Sequence, residues 1–344
     1  MSGKIKKLMM WAFLALAFAG MSWYKLSQPR ILVIHSYAND YAWVRDIDVG
    51  LKRVLDTKLG YKVAWHYMDT KNHPESDFKR KAGAMARRAI DALKPTLVIA
   101  IDDDAQALAV KEFAGSPNVV IVFAGINGSV APYGYDAASN VTGIYERKPL
   151  QDLRRALIDM RGSDGAAMGH RILHIGDRSE SVGIDVKEIE AFGWAPFKIT
   201  ESKLVVTFDD WKKAVLESKS SADLILISNY RNLYETAAKQ QLVPPSEVMQ
   251  WTEANSRVPV VGMGGFMVEE GGMFAVGASG FEQGEVAARM AIQVLDHQAA
   301  PRSIAHVMPR QFLVYVRSSL MHKRGISLPP LYEAFARASN NYYP

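Results

Sequence analysis

The sequence predicts an α/β protein of two doubly wound, parallel-sheet lobes behind an N-terminal apolar leader. Three observations carry that prediction. Short, uninterrupted apolar runs rich in β-branched residues, such as Leu97–Ile101 and 119–123, stop abruptly at polar residues or glycine, as strands covered on both faces do. Amphipathic segments of helical period alternate with such runs from residue 31 to residue 123. After a Gly-, Tyr-, Asp- and Ser-rich stretch at 132–140 the same alternation restarts, with enough chain left for a second unit of similar size.

Composition removes several function classes. Of the net charge of +5, four positive charges are Lys4, Lys6, Lys7 and Lys25 of a leader that holds no acidic residue, so the body carries 37 basic against 36 acidic residues. A nucleic-acid binder would keep a basic face, and that class is set aside. The absence of cysteine excludes disulfides, thiolate metal sites, a cysteine nucleophile and a lipid-modified N-terminal cysteine. There is no H-E-x-x-H pair, no G-x-S-x-G elbow and no P-loop, so neither a metal nor a cofactor is expected. An exported hydrolase would need an arranged nucleophile and base, and the sequence shows none.

Taken in order, residues 1–25 form the leader: lysines, an apolar run at 8–19, and Ala17-Phe18-Ala19 as a small-x-small cleavage site, the layout of a secretory signal peptide. The alternative is an uncleaved inner-membrane anchor over 8–24 with Trp23 and Tyr24 at the interface. Both place the body outside the cytoplasm. Residues 31–35 then form a first strand, a helix follows with Ile47, Leu51, Val54 and Leu55 on one side, and strand 61–68 and helix 75–93 come next. Strand Leu97–Ile101, a crossover helix over 104–113 with Asp104 as its N-cap, and strand 119–123 complete the first series. The second series reads as helix 150–160, strand 172–175, helix 181–192, strand 204–206, helix 210–218, strand 224–227 and a helix from Arg231. Strands at 258–261 and 273–276, an amphipathic helix at 281–297 and a strand at 311–316 end the compact fold, and the tail beyond residue 330 is expected to pack loosely.

Ligands of open parallel sheets sit beyond the carboxyl ends of the strands. On the first lobe those ends bring forward Ser36, Tyr37, Tyr41 and Trp43, then Asp102, Asp103 and Asn127. The second lobe offers Asp177, Ser179, Asn229 and Tyr230 as the opposite wall. Each has a structural alternative: Tyr41 and Trp43 as anchors beneath the first helix, the serines and asparagines as helix caps, and the aspartates as partners of a helix dipole. Only one of Asp102 and Asp103 is expected to face the cleft, because neighbouring extended residues point in opposite directions. Gly262-Met263-Gly264-Gly265 lacks the third glycine of a dinucleotide fingerprint and reads as a hinge or a close backbone approach to ligand.

The segments ILVIHSYANDYAWVRDIDVGL, PTLVIAIDDDAQAL, VVIVFAGIN, NVTGI, GGMFAVGASGFEQGEVAARMAIQVLD and FLVYVRSSLMHKRGISLPP, in this order and spacing, resemble the ABC-transporter substrate-binding protein family with the type I periplasmic binding fold. The resemblance implies two hinged lobes, 29–142 plus 281–302 and 143–280 plus 303–344, linked by passages at NVTGI, around Gly280 and at 301–306. It implies a periplasmic protein that captures a small organic solute, amino-acid-like or aromatic, and delivers it to an ABC transporter permease without catalysis. The alternative role is a membrane-anchored sensing or regulatory module acting through a partner protein. Two departures stand out: three aspartates where amino-acid-binding relatives carry small and hydroxyl residues, and Arg317 where Asn often follows the late strand.

Overall fold

The computed structural model describes residues 3–58, 60–239 and 241–344. Helix α1 (Gly3–Ser27) spans most of the segment expected to be a leader, and its Trp11, Phe13, Leu16 and Phe18 are exposed. Among the described residues no helix is long and apolar enough to cross a membrane, so the anchored alternative over 8–24 finds no support there.

The predicted α/β class is borne out. The first sheet is built from β1 (Arg30–His35), β2 (Lys62–Tyr67), β3 (Leu97–Ile101), β4 (Val120–Ile126) and β5 (Val141–Tyr145), in the order β2-β1-β3-β4-β5 and parallel throughout. Side-chain alternation divides its two faces. Ile31 and Val33 point toward α2 (Ala42–Leu55), whereas Leu32 and Ile34 point toward α3 (Ser76–Leu93).

The crossover helix departs from the expectation. It begins at Asp102, as α4 (Asp102–Ala105), then widens over Gln106–Val110 and tightens over Lys111–Phe113. Asp104 therefore lies in the first turn and pairs with Lys79 at 2.9 Å instead of capping. The cap comes from the loop after β1: Ser36 Oγ accepts from the Ala105 N–H at 2.7 Å.

The second unit runs through α5 (Leu150–Asp159), β6 (Arg171–Asp177), α6 (Glu180–Ala191), β7 (Lys198–Val205), α7 (Phe208–Ser221), β8 (Leu224–Ile227), α8 (Pro245–Asn255), β9 (Val260–Gly262), α9 (Phe266–Glu269) and β10 (Phe274–Ala278). Helix α10 (Gly280–Leu295) follows and lies along α2 of the first unit. Then come β11 (Phe312–Arg317), α11 (Ser318–Lys323), α12 (Pro330–Ala338) and β12 (Tyr342–Tyr343). The sheet order is β12-β11-β10-β9-β8-β6-β7, parallel except where β11 runs against β10.

Two readings of this half need correction. The chain after Tyr230 makes turns, and its next helix starts at Pro245, where a fixed φ suits the first helical turn. The tail does not pack loosely: Ala336 of α12 is fully buried and β12 extends the sheet beside β11.

All of β5 is hydrogen-bonded to β4, so the chain leaves the first sheet after Tyr145, not within NVTGI. It returns at Ser279 and leaves again after Val307, which still bridges to Ile144. These passages are tied together. Gln283 accepts from Gly125 N–H at 3.0 Å and donates to the Tyr145 carbonyl at 2.9 Å, and the Glu282 carboxylate accepts from the Arg310 and Gln311 N–H groups.

Candidate functional site

The carboxyl ends of the two sheets face one another across a cavity. The first unit contributes Tyr37, Tyr41, Trp43, Lys71, Asp102 and Asn127. The second contributes Ser181, Asp185, Asn229, Gly265, Phe266 and Tyr315, with Glu146 and Lys148 of the first passage between them. A second space, lined by Tyr37, Lys71, Asp103 and Ser179, continues outward from it.

Asp102 is the least ordinary residue of this surface. It turns directly off β3 with φ 65°, a left-handed backbone that Asp tolerates better than most residues. It is 1% exposed. Its Oδ1 accepts from Trp43 Nε1 at 2.9 Å, and its Oδ2 has no hydrogen-bond partner among the described residues. Burial, then the charge of Glu146, pushes its pKa well above the ordinary carboxylate range, against the Trp43 hydrogen bond. Gly125 makes room for it: a methyl there would lie 2.6 Å from Oδ1.

Asp103 points elsewhere, accepting from Asn127 Nδ2 at 2.9 Å and Tyr133 Oη at 2.8 Å. The expectation that one of the pair faces the main cleft thus falls to Asp102 by geometry. Asn127 lines the same cavity while holding Asp103.

Aromatic rings form much of the remaining wall. Tyr37 and Tyr41 meet edge to face at 5.7 Å, and Tyr41 reaches Phe266 of the opposite unit at 6.1 Å. The Arg231 guanidinium lies 4.4 Å over the Tyr41 ring. Tyr41 and Trp43 thus both anchor the start of α2 and face the cavity, so neither of their two readings excludes the other.

Gly264 and Gly265 line the cavity as well. A methyl on Gly265 would overlap the Tyr315 ring, and one on Gly264 the Phe266 ring, so the glycines let this loop press against the aromatic wall.

Three of the sequence candidates do not line either space. Ser36 is buried and its hydroxyl donates to the Ile101 carbonyl at 2.7 Å, welding the first loop to β3. Asp177 is buried beneath the second wall, accepting from Ser179 N–H at 2.9 Å and Asn232 N–H at 3.0 Å. Tyr230 is fully buried beside Trp211, with its hydroxyl on Glu270. Ser179 lines the outer space and Asn229 the main cavity.

Several lining residues escaped the sequence reading. Lys71 follows β2 and obeys the strand-end rule that located the other candidates. Its Nζ donates to Ser181 Oγ of the opposite unit at 3.3 Å, and its carbonyl accepts from Asn232 Nδ2 at 3.3 Å. Burial lowers its pKa, while Asp177, Asp104 and Asp102 act in the other direction.

Ser181 and Asp185 are four residues apart on α6, a spacing that puts them on one face. Asp185, Glu146 and Lys148 make a buried cluster. Burial pushes the Asp185 pKa to about 6 even though Lys148 opposes it. Burial also disfavours the Lys148 charge, but Asp185 and Glu146 outweigh that and raise its pKa.

The fold and cleft define a two-lobed α/β protein with a cavity between its lobes, consistent with the periplasmic binding fold. The family described as ABC transporter substrate binding protein matches residues 220–336. No curated protein matches the sequence. Among solved structures, an ABC domain from Streptococcus pneumoniae in complex with L-Trp is 17% identical, with a TM-score of 0.65 over 90% of this chain and 98% of that one. A conserved domain protein from Vibrio cholerae is 16% identical, with a TM-score of 0.64 over the same shares. A 5-methylthioribose transporter solute binding protein from Thermotoga lettingae, in complex with 5-methylthioribose, is 14% identical, with a TM-score of 0.51 over 91% of this chain and 93% of that one. The resemblance to ABC-transporter substrate-binding proteins of the periplasmic binding type is borne out, and at these identities the structural likeness concerns the fold.

Proposed function

We propose that the protein is an exported solute-binding protein: its two lobes close over a small organic molecule and deliver it to an ABC transporter permease in the membrane. The first lobe is the sheet from β1 to β5 together with α10, and the second is the mixed sheet with its helices. The observation that carries this reading is the main cavity walled by the strand ends of both sheets, with Lys71–Ser181 and Asn232–Lys71 contacts already joining the two units beside it. A solute touching both walls stabilises the closed arrangement by its differential contacts. The match to the substrate-binding family over residues 220–336 supports the transport role, and the lysine-rich leader with its Ala17-Phe18-Ala19 site supports export to the periplasm. Aromatic rings and hydroxyls suit an amino-acid-like or aromatic solute.

The test is thermal unfolding of the purified protein against amino acids, aromatic acids, amines and sugars. A ligand of the native state at about a hundred times its dissociation constant adds about 2.7 kcal/mol, a clear rise in midpoint. If no compound class raises the midpoint, the solute-binding reading falls.

A further inference from the structure

Each of the two sheets ends in two edge strands, and three of these edges are guarded. The outer side of β5 is held by Val307, which donates to the Gly143 carbonyl and accepts from the Tyr145 N–H, both at 3.0 Å. On β7 stand Lys198, Glu201 and Lys203, charges that blunt an edge against a further strand. Strand β12 is only two residues long. The remaining edge, β2, has none of these devices. Its sequence is Lys-Val-Ala-Trp-His-Tyr with the lysine at its start, and among the described residues no strand pairs with its outer side.

The backbone of β2 defines what that edge offers. Lys62 N–H donates to the Pro29 carbonyl and Met68 N–H to the His35 carbonyl, so the even-numbered residues face β1 and the N–H and C=O groups of Val63, Trp65 and Tyr67 face outward. Apolar surface continues on both sides of it. On the α2 face Val63 and Trp65 are only partly buried, and Lys52 is held over the Trp65 ring at 5.1 Å. On the α3 face Met85, Ala89 and Leu93 recur every four residues, with Met85 59% and Leu93 37% exposed. Gly83 on the other flank of α3 presses on Leu108, which leaves this stripe on the flank beside β2.

We propose that two copies of the protein pair through β2, antiparallel about a twofold axis at Trp65, so that their first sheets join into one continuous sheet. A twofold pairing sets outward-facing residues opposite one another, and an axis at the middle one uses all three: Trp65 meets the partner's Trp65, and Val63 meets the partner's Tyr67. Between them Ala64 opposes the partner's His66, and Lys62 opposes the partner's Met68, so no like charges face each other. Burial lowers the His66 pKa, which keeps that ring neutral. An acidic or basic partner segment would find no opposing charge from Val63 to Tyr67, whereas the edge of a second copy matches it residue for residue.

The experiment is sedimentation equilibrium of the full chain at neutral pH, with two variants. Met85→Glu combined with Leu93→Glu leaves β2 untouched and charges the exposed stripe. Val63→Pro removes one outward N–H that β1 does not use. The original protein is expected to be a dimer, and both variants to dissociate at least tenfold more readily, the double glutamate variant with an unchanged thermal midpoint. Because the chain has no cysteine, Trp65→Cys supplies a single thiol for a short thiol cross-linker. At the axis the two Cα atoms lie about 5.5 Å apart, so residue 65 is expected to cross-link between copies, and Lys198→Cys on the β7 edge is not. A monomer at every concentration overturns the inference. So does association that persists unchanged in both variants, which assigns it to the exposed side chains of α1. Cross-linking that is absent at 65, or equally strong at 198, overturns it too.

Discussion

Asp102 and His174 show how single buried groups set the behaviour of this protein with pH. Because the folded-state pKa of Asp102 lies above its unfolded value, the native protein holds a proton that the unfolded chain releases, and stability falls as pH rises through that window. Asp102→Asn removes the titration. Its unfolding midpoint is therefore expected to match the original protein below the unfolded value near pH 4 and to exceed it increasingly as pH rises above that value. Parallel curves across pH would show that Asp102 is not the strained group. His174 acts in the opposite direction. It is fully buried, shares a 3.0 Å contact with Ser228, and burial lowers its pKa to about 4. Its neutral form is favoured in the fold, so its contribution is present above the unfolded value near 6.5 and is lost as pH falls toward 4, about 3 kcal/mol in all. Chemical denaturation of His174→Gln between pH 7 and pH 4 should show a flatter acid limb than the original. At this scale the sequence was legible where one residue follows a strand: Tyr37, Asp102, Asn127 and Asn229 reach the cavity. It was not legible where rotation about the strand axis decides, which is why Ser36 and Asp177 turned inward.

Among the elements, the loop after β9 and the C-terminal segment carry the clearest consequences. A methyl at Gly265 has nowhere to go but the Tyr315 ring, so Gly265→Ala must move one cavity wall. Overfilling of this kind costs about 1–3 kcal/mol, and both the unfolding midpoint and ligand affinity should fall together. Truncation after residue 329 removes α12 and β12 and bares the edge of β11. Limited proteolysis is expected to cut the second lobe of that variant while sparing the first; equal resistance of both lobes would mean that the tail adds nothing to the sheet. Elements with clean periodicity were legible, as with α2, α3, α7 and α10. Those missed are short or are begun by a proline pair: α8 after Pro244-Pro245, and α12 after Pro329-Pro330. Both pairs mark a helix start as readily as a chain leaving the fold, and periodicity over so few residues does not choose between the two.

For the whole molecule, the contacts that span the cleft set how readily it opens. Arg45–Glu269 lies at the surface and is worth about 0–1 kcal/mol, diminishing with salt. The Lys71–Ser181 and Asn232–Lys71 bonds lie deeper. Small-angle scattering of Ser181→Ala combined with Asn232→Ala is expected to give a larger radius of gyration than the original without ligand, and a return to the compact value when ligand saturates it. An unchanged radius in the variant would remove these two bonds as determinants of closure. Arg45→Ala should change the radius little at physiological salt.

By itself the sequence determined that strands and helices alternate, that the strands are covered on both faces, that two such units follow one another, and which loops lie at the ligand end. Those properties follow from local periodicity and from where apolar runs stop, and they need no knowledge of distant partners. Only the tertiary structure decided that Lys71 meets Ser181, that Tyr315 backs the Gly265 loop, that Asp102 keeps one oxygen unpaired, and that the tail completes the second sheet. Each joins residues far apart in the chain, and side-chain direction, burial and desolvation at such points are fixed by what the fold brings opposite them.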